Sequence, residues 1–283
     1  MGRKINKYVV RDFAAMLGSH AVLILVSITC VFPLLWMFSS SFKTQQTIFK
    51  NMSLWPGVFH WENYITAWTR GGFGIYFLNS VFYTVTVVSG LILIASLAAY
   101  AFSRQKFKGQ NIMYSVFLAA MMIPIPGAFI ALYILLVKLG LVNTRLGYIL
   151  PQINIGLSLA IYILKTFFDE IPKEVEEAAM VDGCSTLGIW WHVAMPLAKP
   201  AIAVIIIFNA LAVWNEYILA MIILQDKAKM PLQRGLMIFQ GAHFTEYSLL
   251  MAGITISVIP IIVMYLFMQK YIIEGITAGA VKG

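Results

Sequence analysis

Long uninterrupted apolar runs dominate this sequence and decide most of what it can fold into. One of them, "VTVVSGLILIASLAAYAF", ends at Phe102 and shows no alternation of polar and apolar residues. A hydrocarbon core about 30 Å thick is crossed by roughly 20 helical residues. Of the whole chain 60% is hydrophobic and only 11% is charged, against about a quarter in soluble domains. The sequence therefore predicts an all-α polytopic membrane protein.

Six such runs are candidate membrane spans. The third is the least regular, because Pro124 and Pro126 interrupt it, and proline removes a backbone donor and kinks a helix. The polypeptide after these prolines is expected to form a short re-entrant or interfacial piece. The predicted spans are residues 14–38, 76–102, 112–132, 146–168, 200–224 and 247–271.

The basic residues indicate how the spans are oriented. Lys and Arg gather in the N-terminal tail, from Arg3 to Arg11, and in the loop from Arg104 to Lys108. The positive-inside rule then places both termini in the cytoplasm, with an uncleaved first span rather than a signal peptide. The formal net charge of +8 is interpreted as cytoplasmic flanks facing anionic lipid, and no nucleic-acid partner is predicted.

This topology divides the chain into three parts. Residues 1–75 form the N-terminal tail, the first span and an external loop, and residues 76–272 form the core with five spans. A cytoplasmic loop at 169–199 lies inside this core, and residues 273–283 form a cytoplasmic tail.

The external loop contains "HWENYITAW", which has the spacing of an amphipathic helix. Trp61, Tyr64, Ile65 and Trp68 fall at i, i+3, i+4 and i+7, on one helical face. Such a face suits the lipid headgroup layer, where aromatic residues are enriched. A docking face for an external partner is the alternative.

The stretch "EEAAMVDGCSTLGIWWHVAMPLAKP" is the longest polar, helix-forming segment. Strong helix formers follow Pro172, and Gly183 suits the left-handed conformation that ends a helix. A second short helix is expected to stop near Pro196, so the segment predicts a helix–turn–helix at the cytoplasmic surface. Trp190 and Trp191 are expected to anchor it at the membrane interface.

The spacing within this segment is more specific than its composition. Glu177-Ala178-Ala179 is followed by three residues, Gly183, nine residues, and Val193-Ala194-Met195-Pro196. This resembles the EAA signature of permease subunits in binding-protein-dependent ABC importers, E-A-A-x3-G-x9-I-x-L-P. Val193 and Met195 replace the usual Ile and Leu.

The resemblance extends over most of the chain. "WNEYILA" at 214–220, "GITAGAVKG" at 275–283, "SLWPGVFHWENY" and "LGLVNT" resemble the carbohydrate-uptake, MalG-like branch of these permeases. The resemblance implies the six-helix type I importer permease fold and a place in the bacterial inner membrane. It also implies a sister permease, usually a different chain, two ATPase subunits and an external sugar-binding protein.

In this family the EAA loop is a coupling helix that sits in a cleft of the ATPase. Carried over, the docking element comprises Glu177, Ala178, Ala179 and Gly183, with Pro196 ending it. No Gly-Lys pair occurs in the chain, so it lacks the G-x-x-x-x-G-K-[ST] loop that cradles phosphate. ATP and Mg²⁺ are therefore expected on partner subunits, and no cofactor is expected on this chain.

A sugar pathway is predicted within the fifth span. Charged residues inside a span are costly and suggest function by default, and Glu216 lies there between Asn215 and Tyr217. Together with Trp214 these side chains suit sugar hydroxyls and apolar sugar faces. The alternative is that Asn215 and Glu216 bond to neighbouring helices or to the sister permease.

Two other functions remain open. An ABC permease for peptides, amino acids or ions would carry the same EAA loop. A membrane enzyme or secondary transporter would be expected to show clustered or buried ionisable groups, and no such cluster is visible. The four histidines are dispersed without metal-ligand spacing, so neither a catalytic nor a metal site is predicted.

Overall fold

A computed structural model describes the backbone of residues 7–50, 52–70, 72–122, 125–241 and 244–280. Side chains are described for the same ranges except residues 7–14, 125–126 and 271–280. Helices are the regular structure of this described part, apart from one isolated bridge between Gln240 and Thr245. Several residues that entered the sequence analysis lie outside the described residues, among them Arg3 and Lys4 of the N-terminal tail, Pro124, His243 and residues 281–283 of "GITAGAVKG".

Four predicted spans are confirmed as single helices that are long and apolar enough to cross a membrane. Each extends beyond the predicted apolar run at one or both ends. These helices are α1 (Lys7–Ser40), α3 (Phe73–Arg104), α6 (Arg145–Glu170) and α12 (Tyr247–Ala280).

The predicted third span is instead divided between two helices. Helix α4 (Gln110–Ala120) and helix α5 (Ile125–Lys138) are separated by a break that includes Met121 and Met122. The 11 residues of α4 rise only about 16 Å at 1.5 Å per residue, about half of the hydrocarbon core. The interruption predicted near the prolines is therefore present.

The predicted fifth span, 200–224, is wrong as a single helix. Helix α10 (Lys199–Trp214) ends at Trp214, and a separate six-residue helix, α11 (Ile218–Ile223), follows. At its other end α10 meets the preceding helical segment Thr186–Leu197 at a 76° bend. In the described residues the chain has four long spans, or five with this bent pair counted as one, so the expected six single spans are not reached.

The polypeptide forms two compact units, and the larger comprises the described residues of 71–237 and 257–283. Helices α3 and α6 pack along each other, and α10 packs against both. Gly156 on α6 permits a close approach of α10, since a Cβ at this position would lie 2.1 Å from the Asn209 Oδ1 atom. Small residues on α3, Ala95 and Ala99, are fully buried in the same core, as expected where helices approach closely.

The smaller unit comprises the described residues of 1–70 and 238–256. The helix predicted from the spacing in the loop after the first span is present as α2 (Glu62–Arg70). The Trp61, Ile65 and Trp68 side chains are exposed, whereas Tyr64 is half-buried, with its hydroxyl 2.6 Å from Ser41 Oγ. An aromatic surface is therefore present, and its contact with lipid or with a partner stays a prediction. The division of the chain at 75 and 272 stays a prediction too.

Candidate functional site

The polar segment folds as the predicted helix–turn–helix. Its first helix, α7 (Lys173–Val181), follows Pro172 and carries two acidic residues in its first turn. Their negative charges interact favourably with the positive end of the helix dipole. The helix ends in a turn in which Gly183 has φ of 85°. The Cys184 N–H donates to the Ala179 carbonyl at 2.9 Å, which closes the turn.

The outer face of α7 carries the start of the EAA signature. Glu177 and Ala178 are exposed, and among the described residues no side chain bonds to the Glu177 carboxylate. Ala179 is half-buried and packs against the helical core. The signature therefore presents one free carboxylate beside a small side chain, a surface that a groove can approach closely. Its role in docking stays a prediction.

The inner face of α7 carries a buried ion pair that the sequence analysis did not identify. The Glu176 carboxylate and the Arg104 guanidinium lie 2.7 Å apart, and their side chains are only 6% and 9% exposed. Arg104 also donates to the Ile171 carbonyl at 2.7 Å. The Tyr100 hydroxyl donates to the second carboxylate oxygen at 3.3 Å. The pair thereby ties the last turn of α3 to α7.

The second half of the segment is a continuous helical stretch with one irregular turn. Helix α8 (Thr186–Ile189) is capped by the Ser185 hydroxyl, which accepts from the Gly188 N–H at 3.2 Å. A π-helical turn and then α9 (Met195–Leu197) follow. Pro196 lies in α9, and the helical stretch ends one residue later, at Leu197, so it stops near Pro196 as predicted. The missing N–H of Pro196 removes one α-helical bond directly after the π-helical turn.

The two tryptophans of this stretch behave differently from the prediction. Trp191 is 57% exposed, as a membrane anchor would be, but Trp190 is 7% exposed and belongs to the hydrophobic core. Side chains on consecutive helical residues point about 100° apart. When the Trp191 indole faces outward, the Trp190 indole is therefore turned toward the bundle. The expectation of two interfacial tryptophans is wrong for Trp190.

The four predicted sugar-pathway residues lie at the break between α10 and α11. The Trp214 indole is buried and donates to the Ser257 carbonyl at 3.0 Å. The Asn215 amide donates to the Leu211 carbonyl at 3.0 Å. The Tyr217 hydroxyl lies 3.1 Å from the sulfur of Met221.

The Glu216 carboxylate stabilises the break between α10 and α11. It accepts from the Leu219 N–H at 2.6 Å and from the Ala220 N–H at 3.0 Å, and so caps α11. The Tyr148 hydroxyl on α6 donates to the same carboxylate at 3.3 Å. The carboxylate competes with the backbone carbonyls of a continued helix for these N–H groups, which is consistent with the break in the predicted fifth span. These bonds favour the alternative role, bonding to neighbouring helices.

Of the four pathway residues, only Trp214 belongs to the lining of the apolar cavity beside the break. This cavity has a volume of about 150 Å³, and in it the Thr84 hydroxyl is buried without a hydrogen-bond partner among the described residues. Such walls offer few groups to sugar hydroxyls, so contact with sugar stays a prediction. Within the described residues no group of three His, Cys, Asp or Glu side chains could hold a metal ion. The cavity is lined by Val81, Thr84, Val85, Ala210, Trp214, Pro260, Ile261 and Met264.

Known proteins resemble this chain over most of its length. Residues 91–277 match the family described as "Binding-protein-dependent transport system inner membrane component". The chain is 34% identical over 274 residues to the diacetylchitobiose uptake system permease protein NgcG of Streptomyces coelicolor, covering 96% of this chain and 90% of that protein. It is 35% identical over 263 residues to the trehalose/maltose transport system permease protein MalG of Thermococcus litoralis, covering 92% and 94%.

A solved structure extends the similarity to the fold. A chain of a bacterial ABC transporter involved in the import of the acidic polysaccharide alginate matches with a TM-score of 0.81 and 26% identity. The match covers 92% of this chain and 97% of that chain. These similarities confirm the all-α importer-permease fold and the resemblance to permeases of the carbohydrate-uptake branch. The chain belongs to the family of inner-membrane components of binding-protein-dependent transport systems.

Proposed function

We propose that this chain is one of two permease subunits that form the translocation pathway of an ATP-driven importer for a sugar or oligosaccharide. An external binding protein delivers the sugar, and two partner ATPase subunits bind and hydrolyse ATP with Mg²⁺. The second permease subunit is a different chain. Both termini of this chain lie in the cytoplasm, on the same side as the EAA loop.

One observation carries the proposal, namely the outward face of α7. Glu177 and Ala178 stand exposed on a short helix whose other face is fixed to the bundle through Glu176. A free carboxylate favours a basic groove on the partner, and small residues permit close approach. Gly183 then turns the chain away in a left-handed conformation. Such a projecting and rigidly fixed helix suits transmission of movement from an ATPase.

The proposed cargo rests on the relatives. NgcG, MalG and the alginate transporter are named for saccharides of different size and charge. The transporter then alternates between two conformations, one favoured when the ATPase subunits hold ATP and the other when they are empty.

The test uses the complex that purifies with the tagged chain, reconstituted into liposomes with its binding protein. ATP hydrolysis is measured with diacetylchitobiose, maltose, trehalose or an alginate oligosaccharide, and with a dipeptide mixture as the control. We expect one of the saccharides to stimulate hydrolysis and to accumulate inside the liposomes. Stimulation by dipeptides alone, or by none of these compounds, would contradict a sugar cargo.

A further inference from the structure

We propose that α3 is a single rod that links the coupling helix α7 to an external segment, residues 228–232, and that buried polar bonds fasten it at both ends. The inference rests on the proposed function and assigns to Arg104, Glu176 and Asn79 a positioning role that the family signature does not include. None of the three is expected to touch sugar or ATP.

At the cytoplasmic end, the polar fastening is made by the one buried side chain of α7. Of the nine residues of this helix, Glu176 is buried, Ala179 is half-buried and the other seven are exposed. Glu176 meets Arg104, which bonds at the same time to the Ile171 carbonyl. Separating the pair would leave each buried charge without its oppositely charged partner, which is strongly unfavourable. The pair therefore stays closed while α7 moves, and α7 carries the end of α3 with it.

The fastening at the opposite end joins α3 to a segment distant in sequence. The Asn79 amide donates to the Ala228 and Met230 carbonyls at 2.9 and 3.0 Å. The Tyr83 hydroxyl donates to the Lys229 carbonyl at 2.7 Å. Ser80 Oγ accepts from the Leu232 N–H at 2.8 Å, and Asn79 and Ser80 are buried. Side chains from one turn of α3 thus hold four residues of the segment.

Between these ends α3 is well suited to transmit a displacement. It is one continuous helix of 32 residues without proline, about 48 Å long at 1.5 Å per residue. Close-packed interiors deform little and transmit strain, and the middle of α3 is packed in the core. Movement of α7 on ATP binding should therefore reach residues 228–232. By linkage, loading of the external side should reach the ATPase through the same helix.

The test measures stimulation of ATP hydrolysis by the sugar-loaded binding protein in the reconstituted complex. Glu176→Gln loosens one end of α3 and Asn79→Ala the other, while the outward face of α7 stays intact. We expect each to lower stimulation about tenfold, within the range usual for coupling between sites, with unchanged basal hydrolysis. The double variant should be no worse than the more affected single variant, because one broken fastening already disconnects the rod.

Two further variants separate this role from ordinary stability. Ser103→Ala removes a 2.6 Å bond from α3 to Asp169 on α6, beside the ion pair but without touching α7, and should keep full stimulation. Exchanging the charges, Arg104→Glu with Glu176→Arg, should restore part of the stimulation that Glu176→Gln loses. In case Glu176→Gln fails to assemble, Tyr100→Phe removes only the 3.3 Å bond to the same carboxylate and should lower stimulation more than Ser103→Ala does.

The outcomes distinguish this inference from the proposed function. A wild-type complex that no saccharide stimulates would overturn the proposed function itself. A stimulated wild type would overturn only the role of α3 in three cases: the single variants keep full stimulation, Tyr100→Phe matches Ser103→Ala, or the double variant shows the product of two independent losses.

Discussion

Replacing Gly183 by proline is expected to abolish docking of the ATPase and, with it, sugar uptake. Gly183 has φ of 85°, whereas the proline ring fixes φ near −65°. Its N–H also donates to the Met180 carbonyl at 3.0 Å, a bond that proline cannot form. A misfit of about 3 kcal/mol corresponds to roughly a hundredfold loss in binding. Uptake of radiolabelled sugar into cells measures the loss, and the amount of the chain in the membrane serves as the reference.

Asparagine at the same position is the matched control. Among residues with a side chain, Asn adopts the left-handed conformation most readily, and no atom lies within 4 Å of a Cβ placed on Gly183. Gly183→Asn should therefore retain most of the uptake. Equal uptake by the proline and wild-type chains would show that the turn after α7 has no part in coupling.

Gly147→Ala is expected to destabilise the folded chain more than any other single-methyl change at the start of α6. A Cβ at this position would lie 2.0 Å from the Leu141 carbonyl oxygen, which is backbone and cannot rotate away. The same oxygen accepts from the Thr144 hydroxyl, and Thr144 caps α6 through the Gly147 N–H. Overpacking in a tight interior costs about 1–3 kcal/mol, and loss of the cap adds about 1 kcal/mol.

The measurement is the thermal unfolding midpoint in mild detergent. Gly127→Ala is the control, because it adds the same methyl group to α5 where no atom lies within 4 Å. Since alanine favours a helix over glycine by about 1 kcal/mol, this change should leave the midpoint unchanged or raise it. A Gly147→Ala chain as stable as wild type would contradict the close packing of α6 on the preceding loop.

The sequence predicted features that depend on local composition and spacing. Apolar length was sufficient for the four long spans, and proline for the interruption of the third. The helix, the turn at Gly183 and the second helix of the polar segment follow from capping and left-handed preferences that act over a few residues. The family resemblance through Glu177, Ala178 and Gly183 was likewise readable, because its signature has fixed spacing.

Features that depend on partners distant in the chain were missed. Glu216 looked like a charge within a continuous span, and only the geometry of Leu219, Ala220 and Tyr148 shows a carboxylate capping a separate helix. Glu176 was passed over beside Glu177, since consecutive helical residues face different directions and a single sequence does not reveal which faces the core. Arg104 offered one signal, as a cation directly after an apolar run, but it was used only to orient the spans.

The measurement that tests the central claim most directly is co-purification of tagged protein from its native membrane in mild detergent, with identification of its partners by mass spectrometry. The same is done for a chain carrying Glu177→Lys and Gly183→Pro. We expect the wild type to recover an ATPase, a second permease and a sugar-binding protein, and the variant to lose the ATPase while keeping the second permease. Recovery of the wild-type chain alone, stable and monodisperse, would contradict the account of this chain as an importer subunit.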